Sequence, residues 1–464
     1  MKKGYFIILI LVCSPLLSFT WTDKLSYTAT GYDAKIMCSG VFVSGRAPED
    51  VEKNDLLITR IMPVKLRVDL EKREVTATVF GGHENRAVYR EGLGCTLVVD
   101  VPDGELAAQA KAAPPPASSL PHDSPWPRGE AVDLDKLPPD VDRAMLDSAL
   151  KYAFEDGKRR HKLGTRAVVV VYKGRIIAER YASGFTKDTP LIGWSMTKSV
   201  TNALVGILVK QGKLDIYAPA PVPQWRSSGD TRAEITLDQL LRMSGGLDWA
   251  EASLNPDIVQ MMYNESDMAA FAASMPLAHS PDTHWSYSSG TTNIVSGIIR
   301  RAVGDSDAEY FSFPYRKLFG KLGMTSAVLE PDASGTFVGS SYLYATARDW
   351  ARFGQLYLRD GVWNGERILP EGWVAYSVTP TPRAPQGGYG AQFWLNAGSP
   401  DDPTDRWMPD LPTDIYSARG LDGQFVTVIP SHDLVVVRLG LTLNYMKKWD
   451  HQLFLKHIID AIDK

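Results

Sequence analysis

The sequence predicts a mixed α/β (α+β) fold: an antiparallel sheet flanked by helices, carrying a mostly helical insert and preceded by a small β-rich N-terminal module. Three observations lead there. Apolar runs of strand length stand at both ends of the larger part of the chain, Ala167–Tyr172 near its start and Phe425–Val428 and Leu434–Val437 near its end. Segments of helical period fill the middle, roughly 217–330. The composition is that of a globular chain, with 44% hydrophobic, 22% charged and 10% aromatic residues in 464, which excludes collagen-like, coiled-coil and disordered classes. A mean hydropathy of -0.16 excludes a polytopic membrane protein. A net charge of -4 with no long basic run argues against nucleic acid as a partner.

The first segment, residues 1–20, stands apart. Lys2 and Lys3 precede an apolar run from Tyr5 to Phe19, broken by Ser14-Pro15. A charged start followed by a short apolar stretch reads as an export signal, so a periplasmic or secreted location is expected. No Ala-x-Ala lies near Ser18-Phe19-Thr20, which leaves open a retained anchor facing the periplasm, although the run is short for a core of about 30 Å. Cleavage would remove Cys13 and leave Cys38 and Cys95 as an even pair. In an oxidising compartment these are expected to form a disulfide, with two buried thiols as the alternative. No Cys-x-x-Cys occurs, so no zinc ribbon is expected.

Residues 21–105 read as the β-rich module. Strands are expected at Leu56-Leu57-Ile58, Val64–Val68, Val75–Val79 and Thr96–Val99, with turns at Gly81-Gly82 and around Gly92 and Gly94. Residues 106–128 are rich in Ala, Pro and Ser, with Pro114-Pro115-Pro116 in the middle, and read as a solvated linker. Residues 129–464 form one enzyme-sized unit. A helix near Val141–Phe154 leads into the strand Ala167–Tyr172; Lys173-Gly174 turns the chain, and Ile176-Ile177-Ala178 starts the return strand. Met196, Val200, Ala203, Leu204, Ile207 and Leu208 then recur at helical spacing, with Gly212 as the stop. A closing helix is expected around Leu453–Ile462.

The chemistry is first bounded by what is missing. No His-Glu-x-x-His occurs, the eight histidines show no ligand spacing, and neither Gly-x-Ser-x-Gly nor a phosphate-binding glycine loop is present. No metal or cofactor is expected. Ser-x-x-Lys occurs twice. Ser148-Ala149-Leu150-Lys151 lies within an amphipathic helix, with no loop before it. Ser195-Met196-Thr197-Lys198 follows the loop through Pro190 and Gly193 and begins a buried helix. There the unpaired N–H groups and the helix dipole favour a developing negative charge, and a lysine three residues on shares the serine's face. Tyr287, in the polar, aromatic loop His284–Gly290, is the remaining candidate, since a phenol beside a cation can serve as a base. Its alternative is a buried aromatic with a satisfied hydroxyl.

The region from about Arg166 to Gly440 resembles the serine β-lactamase/penicillin-binding-protein superfamily, on the branch of class C β-lactamases, related esterases and 6-aminohexanoate-dimer hydrolases. Ser195-x-x-Lys198 matches the nucleophile motif, and Tyr287-Ser288-Ser289 the second motif. Framing stretches match as well: Ile235–Leu241, Ser244–Leu247, Ala347–Gly354 and Gly423–Pro430. The resemblance implies a β-lactamase/transpeptidase-like fold, with Ser195, Lys198 and Tyr287 as catalytic residues. It also implies an oxyanion hole from the N–H groups of Ser195 and Leu421, with Tyr287 held anionic by Lys198 as the base; the rival account makes neutral Lys198 the base and Tyr287 a spectator. Two departures stand out. Ser289 takes the place of the class C asparagine, and Ala418-Arg419-Gly420 takes that of Lys/His-Thr/Ser-Gly, making Ser289, Arg419 and Gly420 candidate substrate contacts. The lost groups hold a β-lactam's amide and carboxylate. The implied activity is therefore hydrolysis of a small-molecule ester or amide by an exported enzyme, of esterase or 6-aminohexanoate-oligomer amidase type rather than β-lactamase. The alternatives are a non-catalytic acyl-serine receptor and a D-Ala-peptide peptidase.

Overall fold

The computed structural model describes residues 15–59, 62–80, 82–115, 119–155, 162–252 and 256–462; most of the segment expected to direct export, residues 1–14, lies outside them. The N-terminal part pairs a helix with a sheet. Helix α1 (Pro15–Phe42) and the short α2 (Pro48–Asn54) precede a meander of β1 (Lys65–Asp69), β2 (Glu74–Val79), β3 (His83–Arg90) and β4 (Gly94–Leu97), all antiparallel. Ala34, Met37 and Cys38 of α1 are buried together with Val75, Ala77 and Ala87 of the sheet, and Cys38 is joined to Cys95 by a disulfide. The expected strand at Leu56–Ile58 is instead a turn, and β3 and α1 are additions to the expected pattern. Among the described residues no helix is long and apolar enough to cross a membrane.

The segment expected as a solvated linker is docked along much of its length. Helix α3 (Asp103–Lys111) buries Leu106 and Gln109, and the Gln109 amide donates to the Ala333 carbonyl at 3.0 Å. Trp126 is buried, and Arg352 donates to the carbonyls of Pro127 and Gly129. Composition alone misses these contacts because they are made to residues far along the chain.

The larger unit is a three-layer α/β/α sandwich. After α4 (Arg143–Phe154) come β5 (Thr165–Tyr172), β6 (Arg175–Tyr181), β7 (Leu191–Ile192) and α5 (Thr197–Lys210). The helical insert contributes α6 (Leu237–Leu241), α7 (Asp257–Asn264), α8 (Met268–Ser274) and α9 (Ser289–Val303). The later strands are β8 (Val328–Leu329), β9 (Leu343–Ala345), β10 (Val362–Trp363), β11 (Glu366–Arg367), β12 (Trp394–Leu395), β13 (Tyr416–Gly420), β14 (Gln424–Ile429) and β15 (Leu434–Gly440). The main sheet runs β12-β13-β14-β15-β5-β6, antiparallel throughout, so strands from both ends of the unit meet at β15 and β5. Every residue of β5, β14 and β15 is buried, which is why they read as unbroken apolar runs. Helix Ala347–Leu358 and α5 cover one face, while α4 and helix His451–Asp460 cover the other.

The two parts share a buried polar seam. Lys35 of α1 reaches Glu330 at 2.5 Å, with side chains 1% and 0% exposed. Ser39 and the Cys95 N–H donate to the same carboxylate. Glu330 opens the segment that runs through Ser340 into β9, so the N-terminal part grips a loop that also lines the site below.

Candidate active site

Ser195 sits in a single 3-10 turn, Trp194–Met196, that feeds directly into α5. The turn is strained: Trp194 has a φ of 47°, in the left-handed region, at a cost of about 1–3 kcal/mol. Surrounding contacts hold it. Trp194 is buried beside the Tyr342 ring, the Gly193 N–H donates to the Leu343 carbonyl at 2.8 Å, and the Thr197 hydroxyl donates back to the Trp194 carbonyl at 2.7 Å. Strain that is over-determined in this way keeps a reacting side chain at one place.

One turn along α5, Lys198 is 1% exposed. Its Nζ lies 3.0 Å from Ser195 Oγ, 2.9 Å from Ser289 Oγ and 3.1 Å from the Ser340 carbonyl. Burial pushes its ammonium down to about 8, and the Glu251 charge pulls the other way. A substantial neutral fraction therefore exists near neutral pH. The other Ser-x-x-Lys has no such surroundings. Ser148 is exposed on α4, and Lys151 is 68% exposed.

Tyr287 lies in the loop before α9, where the Ser288 side chain caps the helix by accepting from the Thr291 N–H. Its phenol is pushed up from 10, first by burial and then by the Glu251 charge, against a hydrogen bond with Ser195. Lys198 Nζ sits over the ring, 4.9 Å from its centroid. The anionic tyrosine expected from the sequence is therefore disfavoured. The structure brings Tyr287 to Ser195 and Lys198, and its burial favours the neutral phenol. Tyr287 also belongs to an aromatic wall with Trp394 at 5.3 Å and Tyr389 at 5.9 Å between ring centroids.

The other expected residues divide. Gly420 is placed beside the nucleophile turn: a Cβ added there would stand 2.1 Å from the Gly193 carbonyl oxygen, so only glycine permits that approach. Leu421, half exposed, follows immediately. The outer edge of β13 is paired with β12 only at Tyr416 and Ser417, which leaves Ala418–Gly420 an open edge. Ser289 is occupied under Lys198 rather than turned to a substrate. Arg419 lies along the sheet face that carries Phe425 and His451, its guanidinium 3.4 Å over the Trp407 ring and 5.4 Å from the centroid of Trp394, so it reaches the aromatic wall only at its outer end. Strand alternation explains it, since neighbours of the active-site-facing Ala418 and Gly420 must face away.

Sequence reasoning missed Glu251. It lies in the loop between α6 and α7, of which residues 253–255 lie outside the described residues. Its carboxylate accepts from the Ser289 hydroxyl at 2.6 Å, the Ser289 N–H at 2.8 Å and Trp249 Nε1 at 2.6 Å. A lone acidic residue in a loop carries no sequence signal for such a role. Among the described residues no group of acidic, histidine and cysteine side chains could hold a metal ion.

The β-lactamase family model matches residues 150–448. A 6-aminohexanoate-dimer hydrolase of Paenarthrobacter ureafaciens is 24% identical over 307 residues, covering 61% of this chain and 74% of that protein. Among solved structures, a Bacillus anthracis protein described as a candidate 6-aminohexanoate-dimer hydrolase aligns with a TM-score of 0.53 at 24% identity, over 64% of this chain and 79% of that one. A family VIII carboxylesterase aligns with a TM-score of 0.54 at 16% identity, over 70% and 98%. The N-terminal α1–β4 part lies ahead of the family match. The chain belongs to the β-lactamase family and is a serine hydrolase of that family.

Proposed function

We propose that this protein hydrolyses a small-molecule ester or amide through an acyl-Ser195 intermediate, with neutral Lys198 as the base and Tyr287 as a neutral acid. The observation that carries the reading is the arrangement at Lys198 Nζ. The Ser340 carbonyl can only accept, and the Ser289 hydroxyl hydrogen is engaged in a hydrogen bond to Glu251, so its oxygen too accepts from Lys198. A neutral amine has two N–H groups and one lone pair. Nζ donates to all three oxygens; when the ammonium gives up one proton, the two remaining hydrogens stay on Ser340 and Ser289 and the lone pair is left toward Ser195 Oγ, 3.0 Å away.

Chemistry follows from that geometry. Lys198 removes the Ser195 proton as Oγ attacks the carbonyl carbon, and the oxyanion is held by the N–H groups of Ser195 and Leu421, each worth roughly 3–4 kcal/mol. Tyr287 donates a proton to the leaving oxygen or nitrogen and recovers it from Lys198. Water then attacks the acyl-enzyme with Lys198 again as base, and Ser195 regains its proton as the acid leaves.

The aromatic wall of Tyr287, Tyr389 and Trp394 favours a substrate with an apolar acyl or leaving group. Ala418 supplies no cation for a carboxylate, which supports an esterase over a β-lactamase. The Cys38–Cys95 disulfide and the apolar start of the chain support export. Turnover of p-nitrophenyl esters, 6-aminohexanoate oligomers, D-Ala-terminated peptides and nitrocefin tests the reading. Ester or oligomer turnover with little on nitrocefin is expected; stoichiometric acylation without turnover on every substrate would make the protein a receptor instead.

A further inference from the structure

We propose that Glu251 is the positioning residue of the acylation base: by accepting the Ser289 hydroxyl hydrogen bond, it obliges the Ser289 oxygen to accept from Lys198 and aims the lysine lone pair at Ser195. The inference rests on the reading of Lys198 as base and extends it to a residue outside the recognised motifs.

A serine hydroxyl has one hydrogen to give. Left free, the Ser289 hydrogen would turn toward the lone pair of Lys198 Nζ, 2.9 Å away and a strong acceptor. That orientation would engage the lone pair in a hydrogen bond to Ser289 and rotate an N–H toward Ser195, which would leave the nucleophile without a base. Glu251 prevents it. Oε1 accepts from the Ser289 hydroxyl at 2.6 Å, while Oε2 is fixed by the Ser289 N–H at 2.8 Å and Trp249 Nε1 at 2.6 Å. The bidentate grip on a single residue, both its hydroxyl and its N–H, sets the position of Ser289 as well as its hydrogen. It also binds the insert loop carrying Glu251 to the first turn of α9.

The groups around Lys198 are few. Among the described residues the titratable ones facing it are Glu251, from the loop after α6, and Tyr287, which presents its ring from the loop before α9. Ser195 at the start of α5, Ser289 of α9 and the Ser340 carbonyl before β9 are neutral. Glu251 is thus the carboxylate that raises the lysine's proton affinity against burial, and removing its charge moves the lysine's titration toward acid.

The test compares pre-steady-state acylation by a p-nitrophenyl ester across pH 6 to 10 for the intact protein, Glu251→Gln, Ser289→Ala and the double variant. Glutamine keeps the size but its NH2 can donate to Ser289 Oγ, reversing the hydroxyl. Both single variants are expected to lower the alkaline plateau by about 10- to 100-fold. The double variant should fall no further, since both residues serve one lone pair. The pH midpoint should move toward acid in Glu251→Gln and Glu251→Gln/Ser289→Ala but not in Ser289→Ala, a signature that a merely structural role would not give. Thermal unfolding of each variant monitors folding, and Ser289→Ala probes the relay with Glu251 intact. A Glu251→Gln plateau within about twofold of the parent with an unmoved midpoint, or losses that multiply in the double variant, would overturn the proposal while leaving Lys198 as base. Parent-like acylation by Lys198→Ala would instead overturn the base assignment, and with it this inference.

Discussion

Raising the pH from 7 to 9 should increase the acylation rate about tenfold and then have no further effect. With the Lys198 ammonium pushed down to about 8 by burial, about a tenth of the molecules carry a neutral amine at pH 7 and about nine tenths at pH 9. The direction is that of a base: a lysine with a depressed pKa gains its reactive form as pH rises through that value. A lysine at its ordinary value would be neutral in only about 0.03% of molecules at pH 7, so burial raises the competent population roughly 300-fold. Stopped-flow release of p-nitrophenolate in the first turnover reads acylation directly, with Ser195→Ala supplying the uncatalysed background at each pH. If anionic Tyr287 were the base, its upward shift would keep the rate climbing past pH 10 without a plateau. Such a climb, or a flat profile from pH 6 to 9, would refute the assignment.

Three further outcomes follow from the same geometry. Tyr287→Phe should acylate from a p-nitrophenyl ester within about tenfold of the parent, because that leaving group needs no proton, yet lose at least about 100-fold on an amide; equal losses on both substrates would argue against a leaving-group acid. Gly420→Ala drives a Cβ into the Gly193 carbonyl and should lower kcat by about 100- to 1000-fold, the scale of losing one oxyanion donor; steady-state kinetics with a melting curve separates this from unfolding. Lys35→Ala strands the buried Glu330 carboxylate and should cost about 3–5 kcal/mol in chemical denaturation; a cost below about 1 kcal/mol would mean the seam is hydrated.

Much of this was legible along the chain, for physical reasons. The strands of the main sheet are buried on both faces, so β5, β14 and β15 appear as apolar runs wherever they lie in sequence. Ser195 and Lys198 are one helical turn apart, a local relation that spacing encodes directly. Helix α1 was not legible. From Tyr27 to Gly40 it mixes Ala, Ser, Thr and Gly with ionisable Asp33 and Lys35, and most of these are buried on several sides, so no polar face marks its period. Glu251 escaped for a different reason: it meets Ser289 across 38 positions, a contact made by the packing of the insert and by nothing in its own neighbourhood. The charge state of Tyr287 also depends on tertiary burial, which reverses what its proximity to a lysine suggests. Arg419 was placed by strand alternation, once the register of β13 against β14 was known.

The most direct test of the central claim is to find where the acyl group goes. Brief exposure to an activated ester, an acid quench and peptide mapping by mass spectrometry should place one acyl adduct on the peptide containing Ser195. The adduct should be retained in Ser148→Ala and absent from Ser195→Ala, which should also lose turnover. An adduct on another residue, or undiminished turnover by Ser195→Ala, would contradict the account.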